Sequence, residues 1–78
     1  MSVNTSNCET NLIVQRGKDW KSGNQDHQNG NPARGVIAVC EGVAEKGWAS
    51  VQWDGGTINR YRIGNEDSYE LYYVQNGM

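Results

Sequence analysis

The residues best suited to chemistry in this 78-residue chain are two cysteines, Cys8 and Cys40, and one histidine, His27. A thiol nucleophile needs an imidazole within hydrogen-bond reach and a third group to orient it. Cys40 instead ends the apolar run Gly35-Val36-Ile37-Ala38-Val39-Cys40, where burial keeps a thiol neutral and inert. Structural zinc takes four nitrogen or sulfur ligands, commonly in closely spaced pairs; one histidine and two cysteines 32 positions apart do not supply them. Gly30 and Gly35 have the glycine spacing of a phosphate loop, but Val36 and Ile37 stand where a lysine and a hydroxyl residue must grip phosphate and magnesium. The stretch from Asp26 to Asn31 lacks the alternating carboxylates of a calcium loop. These readings point to a chain that is not an enzyme and takes no metal or cofactor.

What the sequence concentrates instead is rings and guanidinium groups: Trp20, Trp48, Trp53, Tyr61, Tyr69, Tyr72, Tyr73, Arg60 and Arg62. These residue types dominate the energetics of protein interfaces. Trp53 falls on the apolar side of an alternating run and reads as core. Trp20, in a polar loop, fits either a lid on the core or a recognition anchor. His27 lies in the same loop, as a solvated side chain or a contact residue. Arg16, Lys18 and Lys21 form one basic spot, and Arg60 with Arg62 another around Tyr61. A formal net charge of −2 argues against nucleic-acid binding, which needs a positive surface to release phosphate counterions. The candidate contact set for a peptide is therefore Trp20, Asp26, His27, Arg60, Tyr61 and Arg62. A more architectural role is expected for neighbouring polar groups. Arg16, Asp19 and Asp26 can hold the long loop closed by charge-assisted bonds, Asp19 can cap backbone N–H groups, and the tips of Asn59 and Tyr61 can tie the loop to its strand.

The elements that position these residues follow from composition and period. The chain is 36% hydrophobic and 21% charged, with ten glycines, one proline and no phenylalanine, enough for one compact domain. Residues 1–11 are polar apart from the apolar Met1, Val3 and Cys8, so they are expected to form a mobile tail with both cysteines reduced. The β-branched run at 12–16, closed by Gly17, predicts a first strand. Residues 17–32 predict one long loop. A second strand, buried on much of both faces, is expected over 35–41, with a hairpin connection over 42–47. A third, alternating strand covers 48–53, Asp54-Gly55-Gly56 makes a tight turn, and the return strand covers 57–63. A last strand at 70–74 precedes a frayed end at 75–78. About five short strands, one long early loop and no helical period predict an all-β fold, a small SH3-like antiparallel β-barrel over 12–74. No run approaches the roughly 18 apolar residues of a membrane span, and no signal-peptide pattern opens the chain. An intracellular setting, cytoplasmic or nuclear, is expected, with a monomer or weak homo-oligomer.

The motifs Arg16-Gly17-Lys18-Asp19-Trp20, Gln25-Asp26, Gly35-Val36-Ile37, the run from Gly47 to Gly64 (GWASVQWDGGTINRYRIG) and Tyr69-Glu70-Leu71 together resemble the Mind bomb/HERC domain. The resemblance covers residues 11–74. It implies an SH3-like β-barrel of the kind found in Mind bomb and HECT-type ubiquitin ligases, acting as a noncatalytic module that binds a peptide segment of a protein partner. In Mind bomb ligases, paired copies with an intervening zinc-binding module recognise the cytoplasmic tails of Notch ligands; this chain has one copy. It also departs from the family where Ser22 replaces a second tryptophan, and where His27 and Asn11 replace glycines. The resemblance therefore implies the fold more firmly than the ligand. Rival readings are a small barrel that binds nucleic acid or a methylated peptide, and a structural or oligomerising role for Tyr69, Tyr72 and Tyr73.

Overall fold

The computed structural model describes residues 1–41 and 47–74. Among these, seven strands follow in order: β1 (Ile13–Arg16), β2 (His27–Gln28), β3 (Asn31–Pro32), β4 (Gly35–Cys40), β5 (Trp48–Trp53), β6 (Ile58–Arg62) and β7 (Leu71–Tyr73). Five of them form one antiparallel sheet in the order β6-β5-β4-β1-β7, and β2 with β3 make a two-stranded ladder inside the long loop. The all-β expectation holds: the described residues contain no α-helix, only a 3-10 turn at Asn65–Asp67. The expected hairpin connection lies, apart from Gly47, outside the described residues, as does the end at 75–78.

The antiparallel sheet is not closed into a barrel by strand pairing. β6 and β7, the two ends of the strand order, do not pair as strands. One bridge, Ile63 with Tyr69, joins their flanks, and Glu70 N–H donates to Arg62 O at 2.9 Å beside it. The β6 edge is partly blunted by the protein itself. Arg62 N–H donates to Glu70 Oε2 and Arg60 N–H to Asn59 Oδ1, both at 2.8 Å, so these amides are engaged by side chains of the same chain.

Period two explains the core. In β5, Ala49, Val51 and Trp53 point inward and are buried, while Trp48, Ser50 and Gln52 share the other face. They pack with Val3, Val14, Ile37, Tyr61, Ile63 and Leu71, each large apolar side chain stabilising by about 1.5–3 kcal/mol on full burial. β4 corrects the reading of a strand covered on both sides. Only Gly35 and Ile37 are buried, with Val36 and Val39 exposed, because no described element covers its outer face. Its register with β5 shifts between Ile37 and Val39.

The larger correction concerns residues 1–11, expected as a tail with a free thiol. Val3 is fully buried, its N–H donates to Leu71 O at 2.9 Å, and Ser2 bridges Tyr72. Two asparagines organise the rest: Asn4 N–H donates to Asn7 Oδ1 at 2.8 Å, and Asn4 Oδ1 accepts from Ser6 and Asn7 N–H. Such side-chain to backbone bonds build a turn without apolar content. The turn brings Cys8 to Cys40, and the two form a disulfide with Cα atoms 6.1 Å apart. The reduced-thiol expectation fails because this local turn supplies the geometry that the polar composition hid.

Candidate functional site

The contact residues expected from the sequence separate into two groups once their surroundings are built up from the chain. The first group belongs to a lock that fastens the loop between β1 and β4. Arg16, the last residue of β1, donates from Nε and a terminal nitrogen to the two carboxylate oxygens of Asp26 at 2.8 and 2.7 Å. Asp26 is completely buried, and its carboxylate raises the guanidinium's affinity for its proton through the hydrogen bonds. The same guanidinium lies 5.2 Å from the Trp20 ring, and the Trp20 indole N–H donates to Gly23 O at 2.8 Å. Trp20 stacks on Tyr61, with centroids 5.2 Å apart and planes 17° apart, and meets Trp53 edge-on at 5.5 Å. Trp20 thus packs as a half-buried lid on the core.

Beneath that lid a polar relay joins loop to sheet. Trp53 Nε1–H donates to the Tyr61 hydroxyl at 2.8 Å, and that hydroxyl donates to Gln25 Oε1 at 2.7 Å. Asn59 Nδ2 donates to the same oxygen at 3.1 Å. Burial, the largest cause, pushes the Tyr61 phenol above its ordinary pKa. On the far side of the loop, Asp19 Oδ2 accepts from Tyr69 N–H at 2.8 Å, a bond that lowers the carboxyl's pKa. The expected tying roles of Asn59, Tyr61, Arg16, Asp19 and Asp26 are all seen. Asp26 and Tyr61, however, are fully buried and offer no surface to a ligand. His27 is half-buried, begins the small ladder opposite Pro32, and sets Nε2 4.0 Å from Asp26 Oδ1.

The second group lies on the same two strands, β5 and β6, but faces outward, away from the core. The antiparallel register sets Trp48 opposite Arg62 and Ser50 opposite Arg60. Both guanidinium groups lie on the Trp48 ring, 4.8 Å from its centroid for Arg60 and 5.3 Å for Arg62, cation–π contacts that hold a half-buried ring in place. Glu41 Oε1 accepts from Arg60 Nε at 3.2 Å. Arg62 Nε is buried and finds no acceptor among the described residues, while its terminal nitrogen lies 3.6 Å from Glu66. Beside the ring opens a cavity of about 590 Å³, lined among others by Trp48, Tyr69, Ile63, Glu41 and the disulfide. Lys18 Nζ lies 5.5 Å from the Tyr69 ring.

The cavity-lining residues Trp48, Tyr69 and Glu41 fall outside the expected contact set, although Trp48 and Tyr69 stand among the concentrated rings. The available signal is period two: it places Trp48 on the face of β5 opposite the core. Tyr61 looks like a better contact in one dimension, because a tyrosine between arginines suggests exposure, yet it is fully buried.

Comparison with known proteins bears on the same residues. The Mib_herc2 family model matches residues 11–75. Mouse E3 ubiquitin-protein ligase HERC2 is 45% identical over 62 residues, which is 80% of this chain and 1% of that protein. Chicken E3 ubiquitin-protein ligase MIB2 is 42% identical over 60 residues, 74% of this chain and 6% of that protein. The Caenorhabditis elegans E3 ubiquitin-protein ligase hecd-1 is 35% identical over 66 residues, 85% of this chain and 2% of that protein. The chain thus spans only a few per cent of the length of these relatives. With the family match running from the start of β1 past the end of β7, and with the loop lock and the Trp48 face both inside it, this chain belongs to the Mib_herc2 family.

Proposed function

We propose that the chain is a noncatalytic module that binds a peptide segment of a protein partner, recruiting it in a ubiquitin-ligase setting inside the cell. The observation that carries this reading is the Trp48 face: an aromatic ring held by two guanidinium groups at the mouth of an open, partly apolar cavity. A cavity with aromatic walls and a few polar groups suits one anchoring side chain. Arg60 and Arg62 would take carbonyl or carboxylate groups of the flanking peptide backbone and side chains. The family assignment supports the setting, because the relatives named above are E3 ubiquitin-protein ligases. A single small module offers limited area, so its affinity is modest. The SH3-like barrel belongs to the same proposal, supported by the Ile63–Tyr69 bridge and the Arg62–Glu70 bond that draw the ends of the sheet together.

Of the expected contacts, Arg60 and Arg62 stay in the proposed surface, joined by Trp48 and Tyr69. The test is selection of peptides from a random-sequence display library, followed by titration of the best binder against the whole chain. Trp48→Ala and Arg62→Gln should each weaken binding about tenfold or more, the size of an interface hot spot, with the urea midpoint of each variant showing that the fold survives. Undiminished binding by both folded variants, or a library that yields no saturable binder, would refute the assignment.

A further inference from the structure

The matched family region starts at residue 11, yet residues 1–10 finish the sheet. β7 ends the strand order, and residues 1–3 take its outer edge. Val3 N–H donates to Leu71 O and Tyr73 N–H to Met1 O, each at 2.9 Å, with Ser2 bridging Tyr72 in the antiparallel sense. The Val3 side chain is wholly buried in the core cluster. An exposed strand edge accepts an extended chain through such bonds, and pockets for alternate side chains make the acceptance selective. Here the pocket is the one Val3 fills. Further along, Asn11 N–H donates to Ile37 O at 2.8 Å. Between these anchor points the segment is fastened by the Tyr73 hydroxyl, which donates to Asn7 O, and by the Cys8–Cys40 disulfide. Both cysteines line the open cavity, so a small thiol can reach them.

We infer that the outer edge of β7 is a strand-acceptor site for an extended peptide carrying a β-branched apolar residue at the place of Val3. Residues 1–3 are its resident occupant, and the Cys8–Cys40 disulfide is the latch that keeps a competing strand out. The acceptor edge is that of β7, whereas the Trp48 ring stands on β5; the latch lines the cavity beside that ring, but the inference does not rest on the peptide reading proposed for the cavity. Reduction by a dithiol delivers two electrons and two protons to the bridged sulfurs, leaving Cys8 and Cys40 as thiols and the dithiol as its own disulfide. Once unlatched, the resident strand is held by hydrogen bonds and the burial of Val3 alone and opens without unfolding the sheet, lowering the effective concentration against which a second strand competes.

Amide hydrogen exchange on the whole chain, with and without a dithiol, tests the latch. In the oxidised chain the Val3 and Tyr73 amides should be protected like those of Ile37 and Ile63. On reduction their protection should drop roughly tenfold or more below that of Ile37 and Ile63, the sign of a local opening. Protection that falls equally at all four amides, or at none, would mean that the disulfide is only a staple. The acceptor is tested by titrating the heptapeptide with the sequence of residues 1–7 into reduced Val3→Asp chain, in which the resident strand is weakened. Saturable shifts at the Leu71 and Tyr73 amides, lost when the peptide's own valine is replaced by aspartate, support the site. No saturable shift, an equal shift with the aspartate peptide, or shifts confined to Trp48 overturn it. Should the Val3→Asp chain not fold, the same titration of the unaltered reduced chain decides.

Discussion

The Tyr61 hydroxyl accepts one hydrogen bond and donates another in a place without water-facing surface, so it has more at stake than its size suggests. Tyr61→Phe keeps the ring stacked under Trp20 but leaves the Trp53 indole N–H without an acceptor and Gln25 Oε1 with Asn59 alone. An orphaned buried donor costs about 1–3 kcal/mol, and urea unfolding followed by tryptophan fluorescence should show a loss of that size. A midpoint unchanged from the parent would mean that the relay contributes nothing. At this scale the sequence is legible where chemistry pairs residue types. Arg16 with Asp26, Asp19 with a backbone N–H, and the tips of Asn59 and Tyr61 on the loop all follow from charge and period. It misleads where exposure has to be judged. Asp26 and Tyr61 are polar in type, and only partners ten and thirty-six positions away offset the cost of burying them.

Strands are legible at the scale of elements because alternation and turn residues are local signals. The tight turn after Trp53 is seen in Gly56, with φ of 104° and an N–H that donates to Trp53 O at 2.8 Å, the backbone freedom that glycine provides. The small β2–β3 ladder gives no such signal, since two residues per strand carry no period. Residues 1–11 are hidden for a different reason: they are attached by backbone bonds to the last strand of the sheet, and backbone groups are the same in nearly every residue. Gly35 shows what close approach of elements demands. It faces Trp53 in the register, and a Cβ there would come within 2.6 Å of Val51 Cγ1 and 2.7 Å of Trp53 Cε3. Gly35→Ala should therefore destabilise by about 1–3 kcal/mol, the cost of overpacking, read as a lower thermal midpoint. A neutral result would show that β4 shifts freely against β5, which its pairing with strands on both sides argues against.

Over the whole molecule, the same burial that builds the core makes alkaline pH its natural adversary. Tyr61 is held above the ordinary phenol value of 10.0, with burial the largest cause, the charges of Asp26 and Glu70 adding to it and the Trp53 N–H opposing. Tyr73, half-buried where residues 1–11 meet β7, is raised as well, again chiefly by burial. A raised phenol pKa means that the folded chain keeps protons which the unfolded chain gives up first. The stability these two groups contribute is fully present below about pH 10 and is lost as pH rises through their folded values. Urea midpoints measured from pH 8 to 11 should fall on the alkaline side, and Tyr61→Phe, though less stable throughout, should fall less steeply because one of the two phenols is gone. Equal slopes in parent and variant would show that Tyr61 ionises as easily folded as unfolded, and that the relay under Trp20 is open to water. The measurement thus reads the closure of the loop over the sheet, which lies within the family match, separately from the disulfide, which ties down the segment outside it.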